Sequence, residues 1–119
     1  MKFNIKNIKI GILGLGYVGL PLAIEFAKYF NVLSYDINEN RINELKKNKD
    51  RNNQILTKDF NNKNIKFTKN INDLGECNIY IITVPTPIFK NKKPNLNNLK
   101  NACKLISNLL NINDIVIFE

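Results

Sequence analysis

Apolar residues along this chain fall into short solid runs and longer spaced ones, and the two kinds alternate. The solid runs occupy 8–13, 31–35, 65–68, 78–84 and 115–118. Runs of this length, rich in Ile, Val and Leu and bounded by polar residues, read as strands buried on both faces, as in a parallel sheet. The spaced runs have helical rhythm: Leu20, Ala23, Ile24 and Ala27; Ile42 and Leu45; Leu99, Ala102, Cys103, Ile106 and Leu110. They predict helices over 17–30, from an Asn38 cap to about Lys47, and over 96–110 behind an Asn95 cap. Pro21 falls in the first turn of the first helix, where a missing N–H costs little. A helical turn over 71–74, capped by Asn70 or Asn72, leads into the fourth strand, and Pro85-Thr86-Pro87 stops that strand. Residues 88–94 read as a basic loop. The stretch 48–64 is polar and weakly patterned, with Ile55, Leu56 and Phe60 pinning it to the body.

Five strands alternating with four helical segments predict an α/β protein, a Rossmann-type doubly wound parallel sheet of order 3-2-1-4-5 that ends after its fifth strand. Residues 1–119 are read as a single domain.

The first strand runs straight into Gly14-Leu15-Gly16-Tyr17-Val18-Gly19 and then into a helix. That context is what a dinucleotide pyrophosphate site requires. Gly14 permits the tight turn, Gly16 lets a phosphate approach backbone, and Gly19 lets the helix pack on the strand. The N–H groups of Tyr17 and Val18, at the positive end of the helix, face the pyrophosphate. Packing is the expected role of the Tyr17 side chain. Asp36 ends the second strand, close to the ~20-residue spacing of the carboxylate that takes the ribose hydroxyls. Its alternative is a second helix cap.

Composition changes the picture little. Apolar content of 44% and charged content of 24% are ordinary globular values. The net charge of +8 invites a nucleic-acid reading. The basic residues are scattered, however, and the clusters at 46–49 and 90–93 read as solvated charge, so no nucleic acid and no membrane is expected as a partner. Lys2, Lys6 and Lys9 ahead of an apolar stretch could pass for a signal peptide, but the glycine block explains that stretch, and the expected location is cytoplasmic. Cys77 and Cys103 have neither CxxC spacing nor a histidine partner, so each is expected to be a small buried thiol, and no metal site is proposed.

From Gly14 to Ala23 the sequence resembles the N-terminal domain of the UDP-glucose/GDP-mannose dehydrogenase family. Further matches are Asp36 with Arg41, the strand exit Ile82-Thr83-Val84-Pro85-Thr86-Pro87, Pro94-Asn95-Leu96 with Asn where the family has Asp, and Ile115 to Glu119. The resemblance is closest to the branch that oxidises UDP-N-acetylhexosamines for surface polysaccharide. It implies NAD as cofactor and a nucleotide sugar as substrate of a longer enzyme, taken at C6 from alcohol to carboxylate through a cysteine thiohemiacetal. It also implies that Arg41 borders the adenosine pocket, a solvent-facing Arg being the alternative. Thr86 is implied as a cofactor contact, a proline-framed turn being the alternative. The catalytic cysteine, lysine and carboxylates of the family lie beyond position 119, so no catalytic residue is assigned. The chain is read as a fragment, the cofactor half of such an enzyme, inactive alone and prone to self-association through an exposed edge strand at 115–118. The other reading is a stand-alone NAD-binding regulatory module. A β-hydroxyacid-type dehydrogenase fits poorly, because it predicts a different glycine block.

Overall fold

The computed structural model describes residues 4–55 and 57–119. Five parallel strands form one sheet: β1 (Lys9–Leu13), β2 (Asn31–Tyr35), β3 (Ile65–Thr68), β4 (Ile79–Ile82) and β5 (Ile115–Phe118), in the order β3-β2-β1-β4-β5. This is the predicted topology. Leu13 is in register with Tyr35 on one side and Ile82 on the other, so β1, β2 and β4 end together. Three helices connect them: α1 (Gly19–Ala27), α2 (Glu39–Lys46) and α3 (Asn97–Ser107).

Alternation along the strands divides the core into two layers. Ile10, Ile12, Val32 and Ile81 face α1 and α2, meeting Leu20, Ala23, Ile24, Ala27, Ile42 and Leu45. Leu13, Tyr35, Tyr80 and Ile82 face the other way, onto Leu74, Cys77, Ala102 and Ile106. A strand filled on both faces has little room for polar residues, which is why the central β4 reads Ile-Tyr-Ile-Ile, whereas the edge strand β3 carries an exposed Lys66.

The helices are shorter than the periodicity predicts. α1 begins at Gly19 rather than Tyr17, because 16–18 are used in the turn. It ends at Ala27, where the N–H groups of Lys28 and Tyr29 bond three residues back, to Glu25 and Phe26, and tighten the last turn. α3 begins at Asn97; Leu96 occupies the cap position without a side-chain bond, and Asn95 Oδ1 instead accepts from the Asn97 N–H at 3.0 Å. Asn38 caps α2 as predicted, accepting from the Arg41 N–H, and Asn70 caps a 3-10 turn over Ile71–Glu76. β4 keeps only Ile79–Ile82 of the predicted run. Another 3-10 turn, Thr57–Asn61, lies in the weakly patterned stretch. There Phe60 is buried and Ile55 packs beside it, while the expected anchor Leu56 lies outside the described residues.

Cys77 is buried as expected. Cys103 is only half-buried, because its position on α3 lies at the rim of the contact with the sheet. On β5, Val116 packs against the α3 layer, but Ile117 and Phe118 remain exposed. The basic loop closes on itself through an isolated bridge between Ile88 and Pro94, its lysines in solvent. Among the described residues no helix is long and apolar enough to cross a membrane.

Candidate functional site

Where β1, β2 and β4 end together, a cleft of ≈ 660 Å³ opens at the carboxyl edge of the sheet. Its volume falls within the ~300–1,000 Å³ of ordinary ligand pockets, and its position is the crevice in which doubly wound sheets bind ligands. The glycine segment forms one wall, the end of β2 with Asp36 and Ile37 another, and Val84 to Thr86 with α3 the third.

The three glycines do different things. Gly14 has φ +98°, a conformation that a side chain strongly disfavours, and an added Cβ would lie 2.9 Å from the Thr83 carbonyl oxygen. Gly19 is constrained by packing: a Cβ there would stand 1.7 Å from the Gly14 oxygen and 2.4 Å from Thr83 Oγ1. Gly16 is neither. A Cβ on it would meet no atom within 4 Å, so the protein leaves its open side to the cleft.

The N–H groups of Gly16, Tyr17, Val18 and Gly19 donate to no other described residue, and Val18 caps α1 without a side-chain acceptor. Four free donors at the positive end of a helix, beside a residue with no side chain, form an anion cradle. Acidic residues are absent from the first turn of α1, so nothing in the helix neutralises that end.

Leu15, between the first two glycines, is gripped at both ends of its backbone. Its N–H donates to Asp36 Oδ2 at 2.8 Å, and its carbonyl accepts from Arg41 Nε at 2.8 Å. Asp36 Oδ1 also accepts from the Asn38 N–H at 2.8 Å. The expected ribose ligand is thus also a turn-former, yet each carboxylate oxygen retains a lone pair for a hydroxyl donor. Tyr35, preceding it, has its phenol pushed up by burial and by the Asp36 charge.

One expectation is corrected here and one alternative falls away. The Tyr17 side chain does not pack: it is 69% exposed at the mouth of the cleft, because the turn carries it off the helix face. Arg41 is not on the surface. It lines the cleft from a buried position, its Nη1 bonded to Glu44 at 2.5 Å and Asp50 at 2.9 Å. Its Nη2 is buried with no partner among the described residues. Thr86 lines the cleft and is exposed.

Sequence reasoning passed over Thr83. Its hydroxyl lies 3.0 Å from the Leu13 oxygen and 2.6 Å from that of Gly14, locking the exit of β4 to the glycine turn. The available signal was a polar residue closing an apolar run. Arg51, Asn52, Asn98 and Asn101 also reach the cleft, and Asn98 Nδ2 holds the Pro85 carbonyl at 3.0 Å. None of these stands in a pattern that predicts it.

The two cysteines lie outside the cleft lining. Burial, aided by the Glu76 charge, pushes the Cys77 thiol up to about 12, the reverse of what a nucleophile requires.

Comparison with known proteins agrees with this geometry. The chain is 47% identical over 118 residues to the UDP-N-acetyl-D-glucosamine 6-dehydrogenase of Salmonella typhi, covering 98% of this chain and 28% of that protein. It is 43% identical to protein CapL of Staphylococcus aureus, covering 95% of this chain and 27% of that one. The chain therefore spans between a quarter and a third of the length of these relatives. Among solved structures, the UDP-D-ManNAc dehydrogenase of Pyrococcus horikoshii superposes with a TM-score of 0.86 at 30% identity, over 94% of this chain and 28% of that one. The sequence profile of the UDP-glucose/GDP-mannose dehydrogenase family, NAD binding domain, matches residues 8–119. With its strand order, glycine turn and cleft in agreement, the chain belongs to the UDP-glucose/GDP-mannose dehydrogenase family, as its NAD binding domain.

Proposed function

We propose that this chain is the cofactor half of a cytoplasmic nucleotide-sugar 6-dehydrogenase acting on a UDP-N-acetylhexosamine. The observation that carries the cofactor reading is the free N–H set at Gly16, Tyr17 and Val18, residues that line an open cleft together with Asp36. The pyrophosphate of NAD lies against those donors, Tyr17 and Val18 included. Asp36 accepts the adenosine-ribose hydroxyls, Arg41 borders that end, and Thr86 meets the half of the cofactor that crosses toward β4. NAD, when bound, takes up the hydride leaving the sugar carbon.

The sugar reading rests on relatives. The Salmonella typhi and Pseudomonas aeruginosa proteins, at 47% and 44% identity, are both UDP-N-acetyl-D-glucosamine 6-dehydrogenases. Residues 1–119 are read as one domain of a longer enzyme that supplies the substrate pocket and the catalytic cysteine. The exposed Ile117 and Phe118 on the sheet edge favour self-association of this chain when alone.

Calorimetric titration with NAD and NADP tests the cofactor half, and the expected result is saturable NAD binding with NADP weaker. No binding of either refutes it. NADH formation with UDP-N-acetylglucosamine, UDP-N-acetylgalactosamine and UDP-glucose, by the enzyme that contains this domain, tests the sugar half.

A further inference from the structure

The polar stretch after α2 is organised by one residue. The Asp50 side chain is 1% exposed. Its Oδ1 accepts from the Asn52 N–H at 3.1 Å and from Arg41 Nη1 at 2.9 Å. Its Oδ2 accepts from the N–H groups of Gln54 and Ile55, at 2.9 and 3.2 Å. One carboxylate thus folds a loop with no hydrophobic pattern and binds a guanidinium buried to 6% exposure. Burial would raise the Asp50 pKa, but these hydrogen bonds from Asn52, Arg41 and Gln54 hold it below the usual carboxylate range.

The same guanidinium reaches the glycine turn through Nε and the Leu15 carbonyl. Asp50, Arg41 and Leu15 therefore form a chain of contacts from the loop to the anion cradle. The loop also brings Arg51 and Asn52 to the cleft wall on the Asp36 side, with Arg51 held by Glu44 at 2.9 Å. A buried ion pair contributes little net stability compared with an apolar pair of the same size. What this pair does supply is geometry: Asp50, with Glu44 on the same Nη1, holds the guanidinium whose Nε reaches the Leu15 carbonyl.

We propose that Asp50 is a positioning residue for the cofactor: through Arg41 it fixes the Leu15 carbonyl and the cradle beside it. This rests on the cofactor reading above. Asp50 itself does not line the cleft.

The test is a double-mutant cycle read on NAD affinity by calorimetry, with circular dichroism to confirm folding. Asp50→Asn is expected to weaken NAD about tenfold or more, the scale of one charge-assisted hydrogen bond. In an Arg41→Met background the same change should alter affinity less than about twofold, because the connection is already cut. An equal loss in both backgrounds overturns the proposal and leaves Asp50 a loop stabiliser. If a variant does not fold, hydrogen exchange on the unmodified protein decides. Saturating NAD is expected to slow exchange of the Gln54 and Ile55 amides, and unchanged exchange there overturns the proposal. Failure of the unmodified protein to bind NAD overturns the cofactor reading itself.

Discussion

Replacing each glycine of the turn by alanine should produce three different proteins. At Gly16 the new methyl group meets nothing within 4 Å, and the backbone is not in a left-handed conformation. Stability should hold or rise by about 0.4–1 kcal/mol, because the unfolded chain loses freedom. At Gly19 the Cβ would sit 1.7 Å from the Gly14 oxygen, a backbone atom that cannot swing aside. Relieving that clash means moving α1 away from the sheet, with a cost at or above the 1–3 kcal/mol typical of overpacking. At Gly14 the left-handed backbone adds roughly 1–2 kcal/mol of strain to the contact with Thr83. Cofactor affinity should follow another order. Gly16→Ala puts a methyl group where a phosphate approaches, and displacing it from even one charged hydrogen bond costs about 1.5–3 kcal/mol, roughly ten- to a hundredfold in Kd. The assay is thermal or urea unfolding beside NAD titration for each variant. The signature is a folded Gly16→Ala protein with its affinity lost, Gly16→Val more so. Undiminished NAD affinity in Gly16→Ala would mean that the pyrophosphate lies elsewhere, and a stable Gly19→Ala would refute the packing account of that position.

Other outcomes follow from the same contacts. NAD should bind more tightly than NADP, because a 2′-phosphate would face the Asp36 charge while Arg51 is committed to Glu44; Asp36→Ala should weaken NAD and narrow the difference, and equal affinities in the unmodified protein would remove Asp36 from this role. Cys77 should resist thiol reagents at pH 8 until denaturant is added. Its raised pKa means that the folded state favours the thiol, so stability should fall as pH rises from 9.0, the unfolded value, toward about 12, and Cys77→Ala should flatten that fall. Light scattering at high concentration should show self-association that Ile117→Lys or Phe118→Lys abolishes; a monomer in the unmodified chain refutes the edge-strand account. Residues 1–119 alone should form no NADH above background from a UDP-sugar, and turnover lost in Cys77→Ser or Cys103→Ser would make this segment an enzyme.

The fold was legible because both faces of the central strands are covered, which leaves short, mostly apolar runs without helical spacing. The glycine segment was legible because each spacing answers a local steric demand. The loop over 48–55 was not. Its order comes from one buried carboxylate bonded to backbone N–H groups, which have no side-chain pattern to read. Periodicity left a solvent-facing Arg41 open as an alternative for the same reason: its burial depends on Asp50 and Leu15, distant partners that helical spacing does not reveal. Helix ends were misplaced where chain was diverted into turns, at Tyr17-Val18 and after Ala27.

The double employment of Asp36 bears on redesign. Its carboxylate holds Leu15 and Asn38 while offering its remaining lone pairs to a ribose. An engineer converting the domain to the phosphorylated cofactor would begin by removing that negative charge, and would loosen the glycine turn in the same stroke. Asparagine has only one carbonyl oxygen and can serve Leu15 or Asn38 but not both, so the swap leaves one backbone donor facing an amide N–H. A working conversion therefore needs two changes together, a neutral acceptor at 36 and a new partner for the N–H it abandons. Libraries that vary position 36 alone will select for turn rigidity before they select for the phosphate.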